Sequence, residues 1–157
     1  MVKSGGMKTI LKLIPFTLVK KLFGSYNLLI VYYHLVSDGH SPHIKHLYQH
    51  KKVKDFIQDL EFLLKHHSPV GLQDVIAWIK GESSLPENSF LLTFDDGFRE
   101  VYDVIARILM EKGVPAAVFI TIMFLDNQDL FYRNKASLIV EEMQNKISSM
   151  DEKILEI

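Results

Sequence analysis

The hydrophobic positions of this 157-residue chain fall into two patterns, short continuous runs and runs spaced by three or four residues. The continuous runs predict buried strands covered on both faces, at 28–33, 90–94 and 115–122. The spaced runs predict amphipathic helices at 52–66, 72–80 and 98–112, with one or two more over 134–155. Alternation of strand and helix predicts an α/β fold with parallel strands, either an open sheet or a barrel.

Polar segments separate these elements. Residues 37–50 form a predicted polar loop that holds four of the seven histidines, and 81–89 and 124–133 are further predicted loops. Gly113 follows the third helix in the position where a left-handed glycine commonly ends a helix.

Composition restricts the classes of function. The chain is 48% hydrophobic and 24% charged, which is typical of one soluble globular domain. It has no cysteine, so disulfides and thiolate metal sites are excluded, and any metal must bind His, Asp, Glu or carbonyl oxygen. With 18 basic and 19 acidic side chains and a pI near 6.6, we expect no nucleic-acid partner.

The charge is unevenly distributed. Residues 1–24 carry five lysines and no acid, so they are expected to form a unit apart from the domain at 25–157. Lys12, Lys20 and Lys21 interrupt the apolar positions, which argues against a secretory signal and against a membrane-spanning helix. Two alternatives remain: a basic helix over 7–23 that lies on anionic lipid, or a terminal helix that packs onto the domain. A cytoplasmic or cytoplasmic membrane-surface location is expected.

Candidate chemistry follows the first two strands. His34 comes after 28–33, and Asp95 and Asp96 come after 90–94. In parallel α/β folds the ligand site lies beyond the carboxyl ends of the strands. Adjacent carboxylates repel each other unless a cation or a shared proton compensates, and a metal ligand beside a general base meets that condition. The alternative is that Asp96 caps the next helix, with Gly97 allowing the turn.

Two other α/β classes use carboxylates at strand ends. Haloacid-dehalogenase-type phosphatases need a second Asp two residues after the first, but position 97 is Gly. Phosphotransfer receiver domains need an Asp after a later strand, and here none occurs until Asp126. The first spacing fails and the second class is weakened, and the receiver remains a less favoured alternative.

The sequence Thr93-Phe94-Asp95-Asp96-Gly97 resembles the first motif of the polysaccharide deacetylases, the NodB-homology domain of carbohydrate esterases. Three further segments, in order between residues 28 and 121, resemble other parts of that domain. They are Tyr33-His34-Leu35-Val36, Leu85-Pro86 and Gly113-Val114-Pro115-Ala116-Ala117-Val118-Phe119.

The resemblance implies a distorted (β/α) barrel that removes acetyl groups from N-acetylated sugars of a polysaccharide or a lipid-linked glycan. By position, Asp95 matches the general base and Asp96 a ligand of a divalent metal, zinc in many members. His34 is expected either to touch the substrate or the groups around the metal, or to be a buried imidazole held by a hydrogen bond.

The chain departs from the family in one respect. All seven histidines precede Asp95, so the downstream His pair that completes the metal site is missing. His46 and His50 have helical i, i+4 spacing but lie in the predicted loop, and we do not expect them to substitute. The sequence is therefore expected to be the N-terminal part of the barrel, truncated before the second metal motif and inactive alone. A non-catalytic remnant or glycan-binding module is the alternative.

Overall fold

The structure of the protein, a computed structural model, describes residues 28–155. The predicted basic unit at 1–24, with its possible lipid contact over 7–23, lies outside these residues. The strands are β1 Leu28–Tyr33, β2 Ser68–Pro69, β3 Ser89–Phe94 and β4 Ala116–Val118. The helices are α1 Pro42–Lys45, α2 Val53–His66, α3 Leu72–Ile79, α4 Ala106–Lys112 and α5 Tyr132–Leu155. A π-helical turn, Val101–Ile105, leads into α4, and a 3₁₀ segment, Ile122–Asn127, follows β4.

The four strands form one parallel sheet with β3 at its centre. β1 lies along one side of β3, in register from Leu28 opposite Ser89 to Tyr33 opposite Phe94. On the other side, β2 pairs with the start of β3 and β4 with its end. Helices connect the parallel strands, as such strands require. The predicted α/β class with parallel strands is confirmed.

The main core lies on one face of the sheet. Apolar positions of α2 and of the π turn with α4 pack there against alternate side chains of β3, which all point to this face. The buried members are Phe56, Leu60, Leu63, Phe90, Leu92, Phe94, Ile105 and Leu109. The opposite face has a smaller cluster of Val70, Val75 and Leu91, which covers only the start of the strands.

The prediction that the first strand is covered on both faces is wrong. Ile30 and Tyr32, on the opposite face of β1, are 57% and 67% exposed. In the described part of the chain β1 pairs only with β3, and the small α3 cluster reaches no further than Leu28 on this strand. The apolar run therefore identified a strand correctly but overstated its burial.

The strand predicted at 115–122 is shorter than expected. It pairs with β3 only over Ala116–Val118, and one further bond joins the Phe119 amide to the Phe94 carbonyl at 2.8 Å. Beyond that point β3 ends, because Asp96 and Gly97 adopt positive φ values and turn the chain away. β4 thus loses its hydrogen-bonding partner although its sequence remains apolar.

The helix predictions are mostly confirmed. Helices occupy the predicted 52–66 and 72–80 regions, and Gly113 closes α4 with a φ of 64°. Part of the helix predicted at 98–112 is a π-helical turn, and the C-terminal pattern forms one helix, α5. Among residues 28–155, no helix combines the length and the apolar character needed to cross a membrane.

Candidate active site

His34 and Asp95 lie side by side where β1 and β3 end. The Asp95 amide donates to the Tyr33 carbonyl at 2.9 Å, which carries the pairing of the two strands one step past Phe94. His34 Nε2 lies 4.0 Å from Asp95 Oδ2, and both side chains are about one third exposed, at 35% and 37%.

Asp96 and Gly97 form the turn that presents Asp95. Their φ values are 69° and 66°, a left-handed conformation that glycine adopts freely and aspartate more readily than most residues. A Cβ on Gly97 would lie 3.2 Å from Cγ1 of Ile120, a contact tight enough to displace that side chain slightly. Gly97 and Phe98 separate Asp96 from the first helical residue, Arg99, so Asp96 is not in the N-cap position.

Aromatic rings flank His34 on two sides. The Tyr32 and Tyr48 rings meet the imidazole edge-on, with centroid distances of 6.0 and 5.8 Å. Burial and then the negative charge of Asp96 raise the pKa of Tyr48 to about 12, while the positive charge of Arg133 opposes that rise. The charges of Asp96 and Arg133 therefore both act on the Tyr48 hydroxyl, in opposite directions. Sequence reasoning missed Tyr48 and Arg133, because neither belongs to a motif or has a diagnostic spacing.

A polar seam holds the histidine-rich segment against α5. We use this name for Asn134, Ser137 and Glu141 of α5 together with residues 40–46. The Ser137 hydroxyl donates to the Pro42 carbonyl at 2.6 Å, and the Asn134 amide to the His43 carbonyl at 3.2 Å. Because positions 134, 137 and 141 recur at helical spacing, one face of α5 carries all three contacts.

Glu141 is the centre of the polar seam. Its carboxylate lies 2.8 Å from Lys45 Nζ and from His46 Nε2, and 3.5 Å from His40 Nε2. Hydrogen bonds from Lys45 first and His46 second hold the pKa of Glu141 below its usual range. The imidazole of His46 is thus engaged with Glu141.

The other loop histidines form a separate group. Burial lowers the pKa of His43, Glu100 opposes that effect, and the charge of His50 adds to it. The His43 ring also lies 5.3 Å from the Phe98 ring. Neither His43 nor His50 has a recorded contact with Asp95 or Asp96 among the described residues.

The side chains of residues 28–155 do not fit a complete zinc centre. No group of three His, Asp or Glu side chains in this part of the chain is arranged to hold a metal ion. A catalytic zinc site usually has three protein ligands. Asp96 is available as one carboxylate ligand of a metal. His34 lies beside Asp95, the proposed base.

An apolar groove of about 430 Å³ lies elsewhere. Its walls come from the end of β3, β4, the π turn and α4, including Phe94, Val118 and Leu109. Phe94 and Asp95 are consecutive in an extended strand, so their side chains point to opposite faces of the sheet. The groove is therefore not part of the acidic site.

The sequence profile of the polysaccharide deacetylase family matches residues 82–154. No significant match was found among curated protein sequences.

Two solved structures are similar. A de-N-acetylase from Aggregatibacter actinomycetemcomitans has 28% sequence identity and a TM-score of 0.57, over 76% of this chain and 51% of that one. IcaB from Ammonifex degensii has 23% identity and a TM-score of 0.56, over 66% of this chain and 42% of that one. The chain thus spans about half the length of these structures.

The family match includes Asp95, Asp96 and Gly97. The fold is that of part of a (β/α) barrel deacetylase. The resemblance of this chain to the polysaccharide deacetylase family is therefore confirmed, with the sequence match covering residues 82–154.

Proposed function

We propose that this chain is part of a metal-dependent hydrolase that removes acetyl groups from N-acetylated sugars of a polysaccharide. The observation that carries the proposal is the approach of His34 to Asp95, 4.0 Å apart, at the carboxyl ends of neighbouring parallel strands. The similar protein from Aggregatibacter is described as a de-N-acetylase, which supports hydrolysis of an amide rather than an ester.

The two side chains divide the proton transfers. Asp95 accepts a proton from the attacking water as the new C–O bond forms at the acetyl carbon. His34, in its protonated form, donates a proton to the amine nitrogen as the C–N bond breaks. The products are acetic acid, which ionises to acetate, and a free amino sugar. The side chains of His34 and Asp95 are both partly exposed, so a substrate can reach them.

Metal dependence remains part of the proposal, with zinc as the expected ion and Asp96 as one ligand. No step is assigned to the metal, because residues 28–155 do not supply a set of three ligands. For the same reason we expect the 157-residue chain to be inactive alone. The active protein would need ligands from outside the described residues.

Acetate release from N-acetylated chitooligosaccharide, with zinc or cobalt added, tests this expectation. The 157-residue chain should show no turnover. A hybrid in which residues 28–121 replace the matching segment of the Aggregatibacter de-N-acetylase should regain it, because the hybrid supplies the remaining site. Turnover by the 157-residue chain itself would refute the proposed incompleteness, whereas a folded but inactive hybrid would count against the deacetylase assignment.

The proposal extends to a lipid-linked glycan as substrate and to the cytoplasmic membrane surface as location. The support for this extension is that residues 1–24 contain five lysines and no acidic residue. Basic segments gain binding energy at anionic lipid surfaces. The chain should sediment with vesicles that contain anionic lipid, and removal of residues 1–24 should abolish this. Equal sedimentation of both forms would contradict the lipid contact.

A further inference from the structure

We infer that Tyr48 contacts the substrate, forming a wall of the sugar-binding site next to His34. This inference rests on the proposed function and adds to it a residue that determines how the N-acetylhexosamine is placed. It starts from the position of the ring, 5.8 Å from the His34 imidazole and 38% exposed.

The geometry makes Tyr48 a neighbour of both halves of the site. Its ring packs edge-on against the His34 ring, and the charges of Asp96 and Arg133 act on the pKa of its hydroxyl. A sugar that reaches both His34 and Asp95 would therefore lie against this ring. Tyrosine suits such a wall, since it presents a rigid apolar face together with a polar end.

The Tyr48 hydroxyl is available to a ligand. No hydrogen bond from it to another group is recorded within residues 28–155, although Tyr33, also half-buried, donates to Asp59 at 2.8 Å. A tyrosine hydroxyl is protonated at neutral pH and can donate to an oxygen of the sugar. The carboxylate of Asp96 would discourage a negatively charged sugar at this place, which favours a neutral N-acetylhexosamine.

The polar seam fixes the segment that carries Tyr48. The Leu47 and Tyr48 amides both donate to the Ile44 carbonyl, at 2.8 and 3.4 Å, and Ile44 is buried. The flanking residues Lys45 and His46 are tied to Glu141. The ring is therefore presented by an anchored turn, which lowers the entropy that a ligand would have to remove on binding.

Binding of tri-N-acetylchitotriose to the full 157-residue chain, measured by titration with ligand-detected NMR, tests the inference without requiring turnover. Tyr48→Phe keeps the ring and should raise Kd about 2- to 10-fold through loss of one hydrogen bond. Tyr48→Ala should raise it further. Phe62→Ala removes an aromatic ring that is 61% exposed on α2, and it should leave Kd unchanged.

The outcomes separate this inference from the proposed function. Binding by the wild type with the same Kd in folded Tyr48→Phe and Tyr48→Ala would overturn the role of Tyr48 and leave the deacetylase proposal intact. Absence of binding by the wild type would count against the proposed function and overturn the Tyr48 inference with it. If Tyr48→Ala fails to fold, judged by circular dichroism, Tyr48→Phe decides.

Discussion

His34 Nε2 lies 4.0 Å from Asp95 Oδ2 because two parallel strands end at the same level. The register places Tyr33 opposite Phe94, so the next residue of each strand projects from the same edge and the same face of the sheet. Backbone pairing thus places an imidazole beside a carboxylate, although 60 other residues separate them along the chain.

Stability at alkaline pH should depend on Tyr33. Its hydroxyl donates to Asp59 Oδ2 at 2.8 Å, and burial, followed by that bond and the charge of Asp59, raises the pKa of Tyr33. A raised pKa means that the folded state holds the proton more tightly than the unfolded state. The stabilisation is therefore complete below pH 10 and is lost as pH rises through the folded-state pKa.

Tyr33→Phe removes this bond and should lower the free energy of unfolding by about 1 kcal/mol at pH 7. Urea unfolding at pH 7 and pH 11 should show a smaller difference between variant and wild type at the higher pH. A difference that grows with pH would contradict the assignment.

Gly97→Ala should destabilise the site loop more than an ordinary glycine replacement. Both its φ of 66° and the 3.2 Å approach to Ile120 oppose a Cβ, and we expect a loss of about 2–3 kcal/mol. Gly81→Ala is a matched control, because its φ is 76° but no atom lies within 4 Å of the added Cβ. That control should lose only about 1 kcal/mol in urea unfolding. Equal losses would show that the contact with Ile120 does not matter.

Glu141→Gln should loosen the polar seam at neutral pH. The pKa of Glu141 is lowered by Lys45 and His46, so its contribution is present above the usual carboxyl pKa and is lost as pH falls through the lower folded-state value. Thermal unfolding should therefore show a lower Tm for the variant at pH 7, with the gap closing in acid. Glu142→Gln, on the exposed side of α5, should change Tm less. A gap that persists at pH 2 would contradict this account.

Local patterns predicted much of the fold. The spacing of Phe56, Leu60 and Leu63 identified α2, and Gly113 identified the end of α4, because each signal depends on neighbours within one or two turns. The two-residue β2 was missed, because a pair of residues has no period to detect. The length of β4 was overestimated, since it is set by where β3 turns at Asp96 and not by the sequence of β4.

The site was predicted only where a motif carries it. Asp95, Asp96 and His34 stand out because they follow apolar strands, and the structure places them at one edge of the sheet. The sequence did not predict a role for Tyr48 or for the polar seam around Glu141. Glu141 and Lys45 are 96 residues apart in sequence, so no local sequence pattern predicts their contact.

The central claim, that His34 and Asp95 transfer protons in deacetylation, is tested most directly by acetate release from the hybrid enzyme described above. The hybrid should hydrolyse N-acetylated chitooligosaccharide, and Asp95→Asn and His34→Gln should each lower kcat about 10²- to 10⁴-fold while the protein remains folded. Turnover that is unchanged by Asp95→Asn would contradict the claim.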